Sequence, residues 1–256
     1  MLKRLPEHLS SSILDFGFYR KIFRQPLRDS LFFLLYFSII VAVVSTVITF
    51  IYLSPGIRSF TSWAKANAPA VSVAGGILTV SGEQPLILKY RGGETWVLVF
   101  DTTGVYKDTS DFNDPVVLLS KENMVLRIRG QVQTYPWKDF GDFEVNNENI
   151  DFISLFLQGI ILPLGFLVHL LIALVSKSLQ AALISPLAYS VANSYGVRLP
   201  FRSSFAIALY SLVPATTLDL LVKASGMNIS FFMFIYITAA IIYTYLATKK
   251  CVVIED

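Results

Sequence analysis

The chain has one cysteine, Cys251, two histidines, His8 and His169, and only 15% charged residues. A lone cysteine excludes an intrachain disulfide, so an exported domain has to rest on its own packed core. Cys251 follows Lys249 and Lys250 at the end of an apolar run and reads as an ordinary membrane-flanking thiol. Two histidines leave a zinc hydrolase short of ligands, and the sequence contains no zinc-ligand spacing, phosphate loop or serine-nucleophile elbow. Neither a metal nor a cofactor is therefore expected. The net charge is +3, but no basic stripe interleaved with aromatics is present, so a nucleic-acid partner is not expected either.

What the chain has in abundance is hydrocarbon. Hydrophobic residues make up 54% of the sequence and the mean hydropathy is +0.59, a balance unsuited to a water-facing surface. The apolar residues gather in stretches near the ~20 residues needed to cross a hydrocarbon core about 30 Å thick. The first, Leu31 to Leu53, carries no charge and is too long and too far from the N-terminus for a cleaved signal peptide. Six basic residues precede it, Lys3, Arg4, Arg20, Lys21, Arg24 and Arg28, which by the positive-inside rule places the N-terminus in the cytoplasm. Among them Ile13, Phe16, Phe18, Tyr19, Ile22 and Phe23 predict an amphipathic helix lying on the membrane, broken at Pro26 before the span.

Residues 54–150 differ in kind, with 9 Lys and Arg against 11 Asp and Glu and with short runs rich in β-branched and aromatic side chains. Strands are expected over 76–80, 86–90, 95–101, 116–120 and 124–130. In the last, Val125, Arg127 and Arg129 alternate with Leu126 and Ile128 at the strand period of two. The glycine pair in Arg91–Glu94 suits a tight hairpin, and Ser120–Asn123 is a second polar connection. Trp63, Trp96 and Trp137 are expected as core or membrane-interface aromatics.

The expected fold is an α-helical integral membrane protein with four transmembrane helices and an inserted extracytoplasmic antiparallel β-domain. Its parts are a cytoplasmic amphipathic segment over 1–30, a first transmembrane helix over 31–53, the β-rich domain over 54–150 and a second transmembrane helix over 151–175. A cytoplasmic interfacial or re-entrant helix follows over 176–202, then transmembrane helices over 203–222 and 229–248 and a cytoplasmic tail over 249–256. Reading 178–195 as a further span would place Arg198, Arg202, Lys249 and Lys250 outside, against the charge rule.

Polar residues inside spans are the first candidates for function, because a charge in hydrocarbon costs about 2.5–3.5 kcal/mol on insertion scales. His169 and Asp219 qualify, but each lies roughly 25 Å along its helix from opposite membrane faces, so they are not expected to meet. Asp219 has a partner one turn later in Lys223, and His169 reads as a helix-packing hydrogen bonder. Pro163 and Pro214 would kink their helices and free backbone carbonyls. Asp101, in Val97–Gly104, invites comparison with catalytic aspartates, but Thr103 stands where an aspartic protease needs glycine. The expected role of Asp101 is to cap the turn after its strand.

The stretches FYRKIFRQPLRDSLFFLLYF, GGILTV, VLVFDTTG and FRSSFAIALYSLVPATTLDLL resemble those of a bacterial family of four-pass inner-membrane proteins of unknown function, some of whose members carry a maltodextrin-utilisation label. The resemblance spans most of the chain and implies an inner-membrane, multi-pass protein, and the charge rule with four spans places both termini in the cytoplasm. It implies no catalytic or sugar-binding residue. The function expected is that of a non-enzymatic accessory or scaffold protein whose exported domain contacts a partner or envelope ligand, with membrane lipids and another membrane or envelope protein as partners. The alternative is a component of a transport system for a lipid or other amphipathic substrate.

Overall fold

A computed structural model describes residues 5–92, 94–113, 115–227 and 229–253. Lys3, Arg4 and Gly93, on which parts of the reading above rest, lie outside the described residues, as do residues 254–256 of the tail. The chain divides into two compact units, residues 51–161 and residues 1–50 with 162–256.

Four helices are long and apolar enough to cross a membrane, by length and composition. They are α3 (Leu27–Asn67), α4 (Ile150–Ser194), α5 (Phe201–Ala224) and α6 (Phe232–Val252). Two short helices, α1 (Leu5–Leu14) and α2 (Tyr19–Ile22), precede them, and Pro26 falls in the break before α3 as expected. Two of the long helices outrun the expected boundaries. With 41 and 45 residues, α3 and α4 are each roughly twice as long as a hydrocarbon core is thick at about 1.5 Å per residue.

The expected division between a helix ending at 175 and a separate interfacial or re-entrant helix over 176–202 is a point of correction, because α4 runs unbroken through Lys177, Gln180 and Pro186. Polar side chains end a helix only when their hydrogen bonds compete with the backbone, and those of Lys177 and Gln180 are taken up by a neighbouring helix. The N-terminal segment also departs from expectation. Its apolar face is not left for lipid, because Phe18, Tyr19 and Ile22 are buried in the helical core, the Tyr19 hydroxyl donates to Ser12 O at 2.9 Å, and His8 Nδ1 lies 3.3 Å from the Tyr210 hydroxyl on α5. Arg20 turns to the carbonyls of Lys250 and Val253 at 3.0 and 3.1 Å, so a residue read as a headgroup contact serves the end of α6. At the centre of this unit α5 is buried on all sides from Ser203 to Val213, its serines and alanines allowing close helix contact.

The other unit carries two sheets. Strands β1 (Val71–Ala74), β2 (Ile77–Val80) and β8 (Phe143–Val145) form one, in the order β2-β1-β8. Strands β3 (Leu86–Gly92), β4 (Glu94–Asp101), β5 (Val116–Ser120), β6 (Asn123–Ile128) and β7 (Gln131–Pro136) form the other in sequence order. All five expected strands are present, but the domain is not wholly antiparallel: β4 and β5 pair in parallel, Val97 opposite Val116 through Asp101 opposite Ser120. β5 therefore begins at the same end of the sheet as β4, and the connection that includes residues 102–113 lies between them.

This connection also closes one face of the sheet, where Tyr106 and Phe112 pack on Val97, Val99, Val116 and Leu118. The turn at 120–123 joins the two sheets. Leu78 N donates to Lys121 O at 2.8 Å, Trp137 N to Glu122 O at 2.9 Å and Trp137 Nε1 to Ser120 O at 2.8 Å. Arg129, expected to continue strand alternation, instead occupies the β6–β7 turn with φ of 51°, followed by Gly130 at 76°.

Candidate functional site

Within the β-bearing unit, the last turns of α3 and the first turns of α4 lie beside the five-stranded sheet and enclose a cavity of about 700 Å³. Phe60 and Trp63 of α3 meet Tyr90 of β3 with ring centroids 5.2 and 5.1 Å apart, and Trp96, Leu98 and Phe100 of β4 continue the wall. The alternation of β4 explains this composition: Trp96, Leu98 and Phe100 point to one face, while Val97 and Val99 face the loop core. Ala64, Ala68 and Gly56 supply side chains too small to fill the space. The wall is almost wholly apolar, and its volume falls within the ~300–1,000 Å³ of small-molecule sites.

The two helix segments are tied to each other around this cavity. Thr61 Oγ1 donates to Ile57 O at 2.8 Å and accepts from the Ser154 hydroxyl at 3.0 Å, Ser54 donates to Gln158 Oε1 at 3.3 Å, and Lys65 forms an ion pair with Asp151. At the rim Leu53 and Leu157 remain 42% and 50% exposed, so the apolar lining continues onto an apolar outer surface. The sequence offered a signal for this site in the aromatics Trp63 and Trp96. It did not offer their neighbourhood, because Trp63 was assigned to the β-domain rather than to a helix extending to Asn67.

Asp101 ends β4 and is fully buried. One carboxylate oxygen accepts from Thr103 Oγ1 at 2.6 Å, Thr103 N at 2.9 Å and Gly104 N at 3.0 Å, while the other accepts from Tyr106 N at 2.6 Å. Burial alone would raise its pKa, but the Thr103 hydroxyl and the N–H groups of Tyr106, Thr103 and Gly104 outweigh that and hold the carboxyl below its ordinary value. Next to it, Gln84 Oε1 accepts from both the N–H and the hydroxyl of Thr102, at 2.7 and 2.9 Å. The four donors around the carboxylate make the turn cap expected for Asp101.

In the helical unit, Asp219 accepts from Lys223 at 2.8 Å, the expected pair one turn apart. His169 Nδ1 lies 2.7 Å from Gly165 O and 3.3 Å from Thr46 Oγ1 on α3, and since a carbonyl only accepts, Nδ1 carries the proton. His169 and Asp219 thus take separate partners. Pro163 and Pro214 lie within continuous helices.

A polar cluster that the sequence reading missed lies across α4, α5 and α6. Lys177 is 6% exposed, and its ammonium donates to the Tyr236 hydroxyl at 2.9 Å and to Gln180 Oε1 at 3.4 Å. Tyr236 in turn donates to Gln180 Oε1 at 2.6 Å, and the Thr216 hydroxyl lies 3.3 Å from the Tyr236 oxygen. In the sequence Lys177 stands just past the expected span over 151–175, a position that suits exposure rather than burial.

Four helices long and apolar enough to cross a membrane, by length and composition, carry large exposed side chains such as Leu171, Leu183 and Phe234, and with an inserted pair of sheets they define a mostly helical class. Residues 7–248 match the model of a protein family of unknown function, DUF1189, and the chain belongs to that family. No match to the chain was found among curated proteins or among solved structures.

Proposed function

We propose that the protein is a non-enzymatic accessory protein of the bacterial inner membrane whose exported β-unit holds an apolar or amphipathic envelope ligand in the cavity beside Trp63 and Trp96. In this reading the helices are multi-pass anchors, both termini are cytoplasmic, and a second membrane or envelope protein receives or delivers the ligand. The observation that carries it is the cavity itself: a small-molecule volume with walls built from Phe60, Trp63, Tyr90, Trp96 and Leu98 and an exposed apolar rim. Removing hydrocarbon from water is the driving force such a wall supplies, at about 25 cal/mol per Å². A maltodextrin, which needs many hydrogen-bonding partners, finds few in that lining, so the sugar-utilisation label of the related family does not extend to this cavity.

The test uses the full-length protein in detergent with an uncharged pyrene-labelled diacylglycerol, read by energy transfer from the tryptophans. The unaltered protein is expected to bind, and Gly56→Leu to bind several-fold more weakly. Gly56 lines the cavity on a helix, and a Cβ added there meets nothing within 4 Å. The substitution therefore fills space while improving helix propensity by up to about 1 kcal/mol. No transfer in the unaltered protein, or equal transfer in Gly56→Leu, overturns the reading.

A second reading, a component of a transport system for a lipid or other amphiphile, draws on the same exposed rim at Leu53 and Leu157, across which a chain would pass into the bilayer. It predicts lipid movement between vesicles that slows in Gly56→Leu and in Asp219→Asn. Unchanged movement in both variants would remove it.

A further inference from the structure

We propose that Lys177, with Gln180 of α4, Thr216 of α5 and Tyr236 of α6, forms a recognition site within the helical unit for the net-negative headgroup of a membrane lipid. This site lies in a different unit from the cavity and does not depend on it.

The first ground is charge. A lysine on an apolar helix, buried to 6% exposure, bears a large desolvation cost and in hydrocarbon is offset by an anion or a functional role. Here the two oxygens that accept from its ammonium, Tyr236 Oη and Gln180 Oε1, are both neutral. The carboxylate that acts on Lys177 electrostatically is Asp219, and it already accepts from Lys223 at 2.8 Å. Among the described residues no carboxylate accepts from the Lys177 ammonium. An anion supplied from outside the chain would give this buried cation the ion pair it lacks.

The second ground is composition around the charge. Gln180, Asp219 and Tyr236 are only half-buried, so the cluster has a rim through which a headgroup reaches the ammonium, while Lys177 and Thr216 form its floor. The Tyr236 proton goes to Gln180 Oε1, so the donors suited to an oxyanion are the third N–H of the Lys177 ammonium and the Gln180 amide NH2. Beside the cluster in sequence, Leu179 and Leu183 on α4 and Met233 and Ile237 on α6 are exposed apolar side chains suited to an acyl tail, with the exposed Thr217 and Thr238 among them. Charge below and hydrocarbon alongside together specify an amphiphile rather than a free ion.

The third ground is the arrangement of the donors. The Tyr236 hydroxyl accepts from Lys177 and donates to Gln180 at 2.6 Å, which fixes the side chains of two helices against each other. A ligand oxygen arriving at Lys177 thus meets groups already oriented.

The experiment takes the full-length protein, strips it of lipid in detergent, and offers phosphatidylglycerol, phosphatidylcholine with the same acyl chains, or inorganic phosphate. Retained ligand is counted by native mass spectrometry. Phosphatidylglycerol is expected to be retained about ten-fold or more better than phosphatidylcholine, the size of a lost hydrogen bond to a charged group. Lys177→Gln is expected to erase that preference, Tyr236→Phe to weaken it, and Arg202→Gln, an exposed charge elsewhere, to leave it intact. Should Lys177→Gln fail to fold, Tyr236→Phe decides, since it keeps the ring and removes one hydroxyl. Equal retention of the two lipids, an unchanged preference in both cluster variants, or inorganic phosphate competing as strongly as phosphatidylglycerol would each overturn the proposal.

Discussion

Asp101 shows how one side chain holds a whole connection. Its carboxylate gathers the Thr103, Gly104 and Tyr106 amides, and the segment so fixed lays Tyr106 and Phe112 over the valines of the sheet. Asp101→Ala removes the charged acceptor of these three amides and of the Thr103 hydroxyl and is expected to cost about 1–3 kcal/mol, measured by denaturant unfolding of the full-length protein. The pH dependence has a definite sign. A carboxyl whose folded pKa lies below its unfolded value of about 4 stabilises the fold above that pH, and the contribution is lost as pH falls through the folded value. Unfolding followed from pH 6 down to pH 2.5 should therefore show an acid-side loss of stability that Asp101→Ala reduces. The capping role was legible in the string VLVFDTTG, because a strand-final aspartate followed by small polar residues has few other ways to satisfy its oxygens. The role of Lys177 was not, since a lysine at the end of an apolar run looks the same in sequence whether it faces water or a neighbouring helix.

Among the elements, the strands were the most legible and their pairing the least. Runs of β-branched and aromatic residues marked β2 through β6, with alternation in β6, whereas β1 and β8 are short and β7 is exposed along most of its length, so none of these three gives a strong signal. The parallel pairing of β4 with β5 depends on where residues 102–115 run, which no local pattern records. The β1–β2 hairpin does follow from local chemistry. Gly75 and Gly76 adopt φ of 58° and 78°, the left-handed pair of a tight two-residue turn. Gly76 is also pressed against Lys138, whose Cβ, Cα and N would lie 3.1, 3.2 and 3.3 Å from an added Cβ. Gly76→Ala is therefore expected to destabilise by more than about 1 kcal/mol, and Gly75→Ala, with open space around it, by less. Comparing the two unfolding midpoints checks this, and equal effects would show that backbone conformation alone matters there.

At the scale of the whole molecule, the proposed topology makes a prediction that side-chain labelling can read. In a Cys251→Ser background, single cysteines at 198 and 249 are expected to react only when the cytoplasmic face is accessible, and cysteines at 83 and 107 only from outside; residue 198 labelled from outside would invert the scheme. The sequence by itself determined the four helices long and apolar enough to cross a membrane and the β-rich insertion, because hydrocarbon length and side-chain period are local quantities that survive without any knowledge of neighbours. Only the tertiary structure decided that α3 continues to Asn67 and that α4 passes through Lys177 without a break. It alone brought Trp63 to Tyr90 around an apolar cavity and Lys177 of α4 to Tyr236 of α6. These are contacts between residues far apart in the chain, fixed by packing and by the need of each buried polar group for a partner, and a one-dimensional pattern carries no record of which partner that is.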